Sequence, residues 1–241
     1  MHENLNKELY SNKLFKVWVD KYNLIPLEEY FLKKYLLNKN GKVIEAGTGG
    51  GRLIFEIEKL GFKKLDAFDY VNNMINFCKE KKKQLKSRVN FKVAEVNDLS
   101  YYNSLDFDYL IYLQQVLCFI DKEDLPKAFS EAHRIGKENS IYLFSFLNWN
   151  SKIYNPFLSI LVNFFRILRN EKTSKYQLPW LNIGGRFNRK FLNRNQPQNS
   201  WFKEKHVRDL LEKSNFSVIE IKSKMSDLDK VGHIHVVCKK R

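Results

Sequence analysis

The chain of 241 residues has only three cysteines, Cys78, Cys118 and Cys238, scattered along its length. No two have the short spacing of a metal knuckle, and an odd, dispersed set does not make a disulfide frame. The expectation is free thiols in a reducing compartment. No apolar run approaches the ~20 residues that a membrane span needs. The opening residues, MHENLNKELYSNK, lack the apolar core of a secretory signal. Together these absences predict a soluble, cytoplasmic protein. Acidic residues are scarce beside basic ones, 27 against 42, for a formal net charge of +15. That excess points to nucleic acid, anionic lipid or an acidic small molecule as a partner. Much of it lies in lysine runs such as KEKKKQLK (79–86), which read as solvated helix faces.

What is present is alternation. Residues 1–40 mix apolar and charged side chains at helical spacing, with Pro26 opening a new helix. After the turn NKNG (38–41), strand-like and helix-like segments take turns. Strands are expected at KVIEAG, KKLDAFDY, VNFKVAEV, FDYLIYL and SIYLFSFL, with helices between them. The fourth run is almost wholly apolar, as a central parallel strand should be. The rhythm pauses over 148–203, an aromatic, Asn-rich and basic stretch without clear strand periodicity. It resumes with a helix near 204–215 and two last strands, FSVIEIKSK and GHIHVVCKK. The turn between those two is too short for a helical crossover, so they should pair antiparallel. The fold class is therefore α/β: a Rossmann-like, doubly wound, seven-stranded sheet with an antiparallel last strand and helices on both faces. One domain of 1–241 is expected. It has N-terminal helices (1–40), a ligand-binding core (41–147), an insertion or lid (148–203) and a C-terminal helix with a β-hairpin (204–241).

Between the first strand and its helix lies EAGTGGGR (45–52). A strand, a glycine-rich turn and a helix bring backbone N–H groups close to a ligand. The dinucleotide fingerprint G-x-G-x-x-G fails here, because Arg52 occupies the last glycine position. Glu45 stands two residues before the first glycine. Its carboxylate would repel a diphosphate and tolerate a cation, so Glu45 before the glycines and Arg52 after them suit the turn to a cationic, phosphate-free ligand.

Acid-x-Gly-x-Gly-x-Gly, met at every fixed position by Glu45 to Gly51, resembles the first motif of the class I S-adenosylmethionine-dependent methyltransferases. The resemblance covers roughly 40–147 by motif and the rest by element order. It implies S-adenosylmethionine as cofactor and S-adenosylhomocysteine as product. Glu45, Gly47, Thr48, Gly49 and Gly51 would hold the amino-acid end. Asp69, better placed than Asp66, would accept from the ribose hydroxyls at the end of the second strand, next to Tyr70. Glu95, with Val96 after it, would face the adenine; Asp98, one register away, is the alternative. Leu113 and Gln114, with Gln115, would line the fourth strand's edge. The Asp/Asn-Pro-Pro-aromatic motif of base-amine methylases is replaced by LQQV, and the paired glutamates of arginine methyltransferases are missing.

A small-molecule substrate is expected, with an anionic one among the options; an RNA methyltransferase or a non-catalytic cofactor-binding protein are the alternatives. No catalytic residue is assigned. Tyr10, Tyr112, Gln114, Gln115, Tyr154 and His206 are candidates by location, and Tyr10 also as an aromatic cover for the cofactor. His133 reads as structural. His233 and His235 share a strand face without a third ligand, so no metal is expected. In the insertion, Asn155 is a candidate cap before Pro156. Leu158, Leu161, Phe165 and Leu168 form an apolar stripe that reads as core packing, a lid or a lipid-facing surface. Arg186, Arg189, Lys190 and Arg194 lie among Phe187, Phe191, Trp201 and Phe202, after a Gly184–Gly185 hinge. They suit an anionic group, a stacked base or a solvated loop.

Overall fold

The computed structural model describes residues 2–21, 23–151, 156–226 and 228–241. Tyr154 and Asn155 therefore lie outside the described residues. Three helices lead: α1 (His2–Ser11), α2 (Phe15–Val19) and α3 (Pro26–Tyr35). Then β1 (Lys42–Ala46), α4 (Arg52–Lys59), β2 (Lys64–Asp69), α5 (Asn72–Leu85), β3 (Asn90–Val93) and β4 (Phe107–Tyr112) alternate. A 3₁₀ turn at Lys122–Asp124 leads into α6 (Leu125–Ile135), followed by the long β5 (Gly136–Asn148). The insertion holds α7 (Pro156–Leu168), β6 (Gln177–Pro179), β7 (Asn182–Ile183), β8 (Arg186–Phe187) and β9 (Gln198–Phe202). The chain closes with α8 (Glu204–Lys213), β10 (Phe216–Lys222) and β11 (Ile234–Lys240).

Among the described residues the main sheet runs β3-β2-β1-β4-β5-β11-β10. The first five strands are parallel. The last in sequence, β11, is antiparallel to both of its neighbours. Side chains alternate across the sheet with a period of two, and both faces are covered. Val43, Ile111, Leu143 and Val237 join Phe31, Ile54 and Ile75 from α3, α4 and α5 on one side. Ile44, Leu110, Tyr112 and Phe144 join Phe129 of α6 and Val207 and Leu211 of α8 on the other. That double burial is why FDYLIY is nearly all apolar. The lysine run on α5 is the solvated face expected, while Met74, Ile75 and Cys78 turn inward.

The structure differs from the sequence reading in three places. First, β3 is shorter than VNFKVAEV and stops at Val93, which leaves Glu95 in the turn beyond the sheet. Second, the insertion does contain strands: β9 extends the sheet alongside the end of β5, with Leu147 opposite Trp201, and pairs with β6. These pieces are two to five residues long, too short to show periodicity. Third, Gly184 and Gly185 are a hairpin turn and not a hinge. Both have positive φ, 57° and 81°, between the paired Ile183 and Arg186, as a two-residue turn matching strand twist requires.

Arg52 is redirected as well. Its guanidinium lies on the Glu28 carboxylate through two bonds of 2.6 and 2.8 Å, and also donates to the Asn23 carbonyl. Glu28 in turn accepts from the Ile25 N–H and so caps α3. Arg52 thus clamps α3 to the first turn of α4 and says nothing about ligand charge. Both side chains are buried, so removing one partner leaves an uncompensated charge. Arg52→Met should destabilise the protein by ~3–5 kcal/mol. The double variant Arg52→Met/Glu28→Leu should lose clearly less, as read by urea unfolding followed by circular dichroism.

Candidate functional site

The site forms where β1, β2 and β4 end, at the edge where open α/β sheets hold ligands. The turn after β1 alternates left-handed residues: Gly47, Gly49 and Gly51 have φ of 62°, 53° and 77°. Glu45 fixes this turn from inside. Its carboxylate accepts from Thr48 Oγ1 (2.6 Å), from the Ile54 N–H in α4 (3.1 Å) and from Gln114 Nε2 after β4 (3.3 Å). Burial pushes the Glu45 carboxyl up to about 8, against the Thr48 and Ile54 hydrogen bonds that favour the ionised form.

Asp69 ends β2 and fixes the turn from the other side. One carboxylate oxygen accepts from the Gly49 N–H and the other from the Val71 N–H, both at 2.9 Å. Burial raises it to about 6, with those backbone donors pulling the other way. Asp69 also lines a cavity whose space, open mouth included, is about 640 Å³. Gly47, Gly49, Tyr70, Glu95, Val96 and Gln114 line it too. Glu95 is half-exposed and pairs with Lys7 of α1 at 3.1 Å. Asp98 is exposed and accepts from the Ser100 N–H, away from the wall.

Glu45, Thr48, Gly51 and Leu113 stand behind that wall and shape it. Leu113 is buried in the apolar layer with Val43 and Ile111. Gly51 backs onto Phe55, 2.5 Å from where a Cβ would sit. Gly50, which holds no motif position, has its own reason to be bare: a Cβ there would stand 2.7 Å from Val19 Cα. Helix α2 lies directly on the loop.

The roof comes from residues that sequence reasoning largely missed. Tyr10 and Trp18, from α1 and α2, line the cavity with Phe119 and Ile120 from the segment after β4. Trp180 of the insertion stacks on Phe119 at 5.2 Å and meets Tyr10 edge-on at 6.0 Å. Asn6 joins all three segments. It donates to the Phe119 and Gln198 carbonyls and accepts from Trp180 Nε1. A lone Asn in a polar helix gives no sequence signal of such a role. Among the described residues the buried Tyr10 hydroxyl has no hydrogen-bond partner, and desolvation holds its pKa well above the ordinary value.

Other candidates are not brought here. Tyr112 is fully buried in the core against Phe144. Gln115 is buried and donates to Ser145 Oγ. His206 is exposed, with its ring on Tyr176 at 5.2 Å. His235 is buried, stacked on Phe31, with Nδ1 at the His233 carbonyl. His133 packs edge-on against Phe216. Among the described residues no three His, Cys, Asp or Glu side chains form a metal-holding group. Arg186, Arg189, Lys190 and Arg194 are absent from the cavity wall. Phe191, Trp201 and Phe202 are core residues and only Phe187 is exposed.

A family model described as a methyltransferase domain matches residues 37–221. No curated protein matches the chain. Among solved structures it is similar to a 1,6-didemethyltoxoflavin-N1-methyltransferase of Burkholderia thailandensis with bound 1,6-didemethyltoxoflavin and S-adenosylhomocysteine. That match has 13% identity and a TM-score of 0.68, over 98% of this chain and 88% of that one. It is also similar to a SAM-dependent methyltransferase of Methanosarcina mazei, with 17% identity and a TM-score of 0.65, over 90% and 98% of the two chains. A third likeness, at 14% identity and a TM-score of 0.64 over the whole of both chains, is to the magnesium protoporphyrin IX methyltransferase of Synechocystis PCC 6803 with bound S-adenosylhomocysteine. At these identities the structures speak for the fold; the family match carries the assignment, and the chain belongs to the class I S-adenosylmethionine-dependent methyltransferases.

Proposed function

We propose that this methyltransferase acts on a small molecule at an O, N or C nucleophile, held under the aromatic roof beside the glycine loop. The observation that carries this reading is the aromatic side of the cavity. Tyr10, Trp18 and Phe119 line it together with Gly47, Gly49 and Asp69, which suits a compact acceptor better than a polymer. Two of the similar structures are named as methyltransferases of 1,6-didemethyltoxoflavin and of magnesium protoporphyrin IX, neither of which is a polymer. An anionic acceptor gains no support from the wall, whose charged members are Asp69 and Glu95. The RNA alternative rests on the basic residues of the insertion, and these lie off the wall.

The residues present fit S-adenosylmethionine. Gly49 leaves the backbone bare at the cavity, where a Cβ would meet only Trp18 at 3.9 Å. Asp69, set at the strand end, is assigned to the ribose hydroxyls and Glu95 to the adenine side. The cofactor supplies a methyl group on a sulfonium, already activated as a leaving group. The protein then contributes mainly by position, holding an acceptor in line and excluding water. Tyr10 keeps its proton at neutral pH. Its unpartnered hydroxyl is thus a donor available to orient the acceptor, not a base.

Two outcomes follow for calorimetric titration with S-adenosylhomocysteine. Asp69→Asn should weaken binding by ~1–3 kcal/mol, the value of a hydrogen bond to a charged group. Ribose hydroxyls donate to the ionised carboxylate, so wild-type affinity should be full above about pH 6 and fall as the pH drops through it. The Asn variant should lose that step, and unchanged affinity in it would remove Asp69 from the cofactor site. For the acceptor, labelled cofactor with fractionated metabolite extract should give a labelled small product identified by mass. Label appearing only in RNA, with steeply salt-dependent RNA retention, would reverse the choice.

A further inference from the structure

Helix α7 presents two apolar faces. Leu158 and Leu161 pack against the core beside the buried Val162. Ser159, Asn163 and Arg166 occupy a polar strip that the protein satisfies internally. Arg166 donates to the Ser174 carbonyl and Gln198 Oε1, and Asn163 donates to the Ser159 and Ser174 carbonyls. The remaining face carries Phe157, Ile160, Phe164, Ile167 and Leu168, each 53 to 68% exposed. At 3.6 residues per turn these five fall within an arc of roughly 100° along about 17 Å of helix. A contiguous exposed apolar stripe of this kind marks an interaction surface.

The charge around the stripe selects its occupant. Residues 156–203 contain nine Arg and Lys against one acid, Glu171. Glu171 is itself engaged by Arg169 and Arg194. Arg194 also donates to the Arg169 carbonyl at the end of α7, and Arg169 donates to the Leu192 carbonyl. The loop that carries the exposed Arg189 and Lys190 is thereby tied, at Leu192 and Arg194, to the C-terminal end of α7. A second copy of the chain would bring these cations against their equals. An anionic surface would be attracted by them and would take up the apolar side chains, as interfacial helices with basic flanks do. We propose that α7 docks this protein onto an anionic phospholipid membrane, with Phe157, Ile160, Phe164 and Ile167 entering the acyl boundary and Arg189 and Lys190 meeting the headgroups.

Vesicle sedimentation tests this on the full chain. The protein should pellet with equimolar phosphatidylcholine–phosphatidylglycerol vesicles, far less with phosphatidylcholine alone, and less as salt rises. Ile160→Ser/Phe164→Ser/Ile167→Ser should lose about a hundredfold in vesicle affinity, and Arg189→Glu/Lys190→Glu about tenfold or more. These side chains are exposed, so circular dichroism and melting should stay at wild-type values, as should S-adenosylhomocysteine affinity. Failure of the wild type to bind anionic vesicles, or equal binding by the apolar variant, would overturn the proposal. So would a dimer in vesicle-free buffer that the apolar variant dissolves, which would give the face to a second copy. RNA retention lost in the charge variant while vesicle binding persists would also overturn it.

Discussion

One buried carboxylate organises the edge of the sheet where β1, β2 and β4 end. Glu45 stands at the end of β1 and bonds the glycine turn through Thr48, the first turn of α4 through Ile54, and the segment after β4 through Gln114. Three parts of the chain, up to 69 residues apart, meet on one side chain. Burying an acid there is costly, which is why its pKa rises. The hydrogen bonds offset that cost only when the turn, the helix and the strand end are all in place, so the carboxylate selects one arrangement of the edge. Asp69 repeats the device from β2, with backbone amides as its donors.

On that fixed floor the roof is assembled from distant segments. Helix α2 presses on Gly50 so closely that a side chain would not fit. Asn6 satisfies carbonyls on both the β4 extension and the insertion. Tyr10, Phe119 and Trp180 then meet as one aromatic cluster. The insertion therefore serves two surfaces. Its Trp180 backs the roof through Phe119 and Tyr10, and α7 faces outward with an exposed apolar stripe. Arg166 links them, reaching Gln198, whose carbonyl accepts from Asn6.

Much of this was legible in the sequence. Alternating β and α segments, the apolar FDYLIY, the glycine turn and the short final connection were enough for a doubly wound sheet with an antiparallel last strand. The acid before the glycines and the acid at the end of the second strand led to the cofactor class. Other readings failed for identifiable reasons. Arg52 reads from its spacing as a statement about ligand charge, because spacing alone does not reveal that Glu28 lies against it. Gly184–Gly185 looked like a hinge, since the strands flanking it are two residues long. The stripe Leu158, Leu161, Phe165, Leu168 has helical spacing, yet Leu168 faces solvent with Phe164 and Ile167.

The sequence by itself determined the local elements and the glycine turn at the sheet edge, because both depend on residues close together in the chain. Strand periodicity, glycines at positive φ and an acid two residues before them are short-range signals. Only the tertiary structure decided which residues roof the cavity, whether Glu95 or Asp98 reaches its wall, and which face of α7 is left outside. Periodicity says which side chains share a face. Whether that face meets protein or the surroundings is set by partners up to 192 residues away, and no local pattern encodes them.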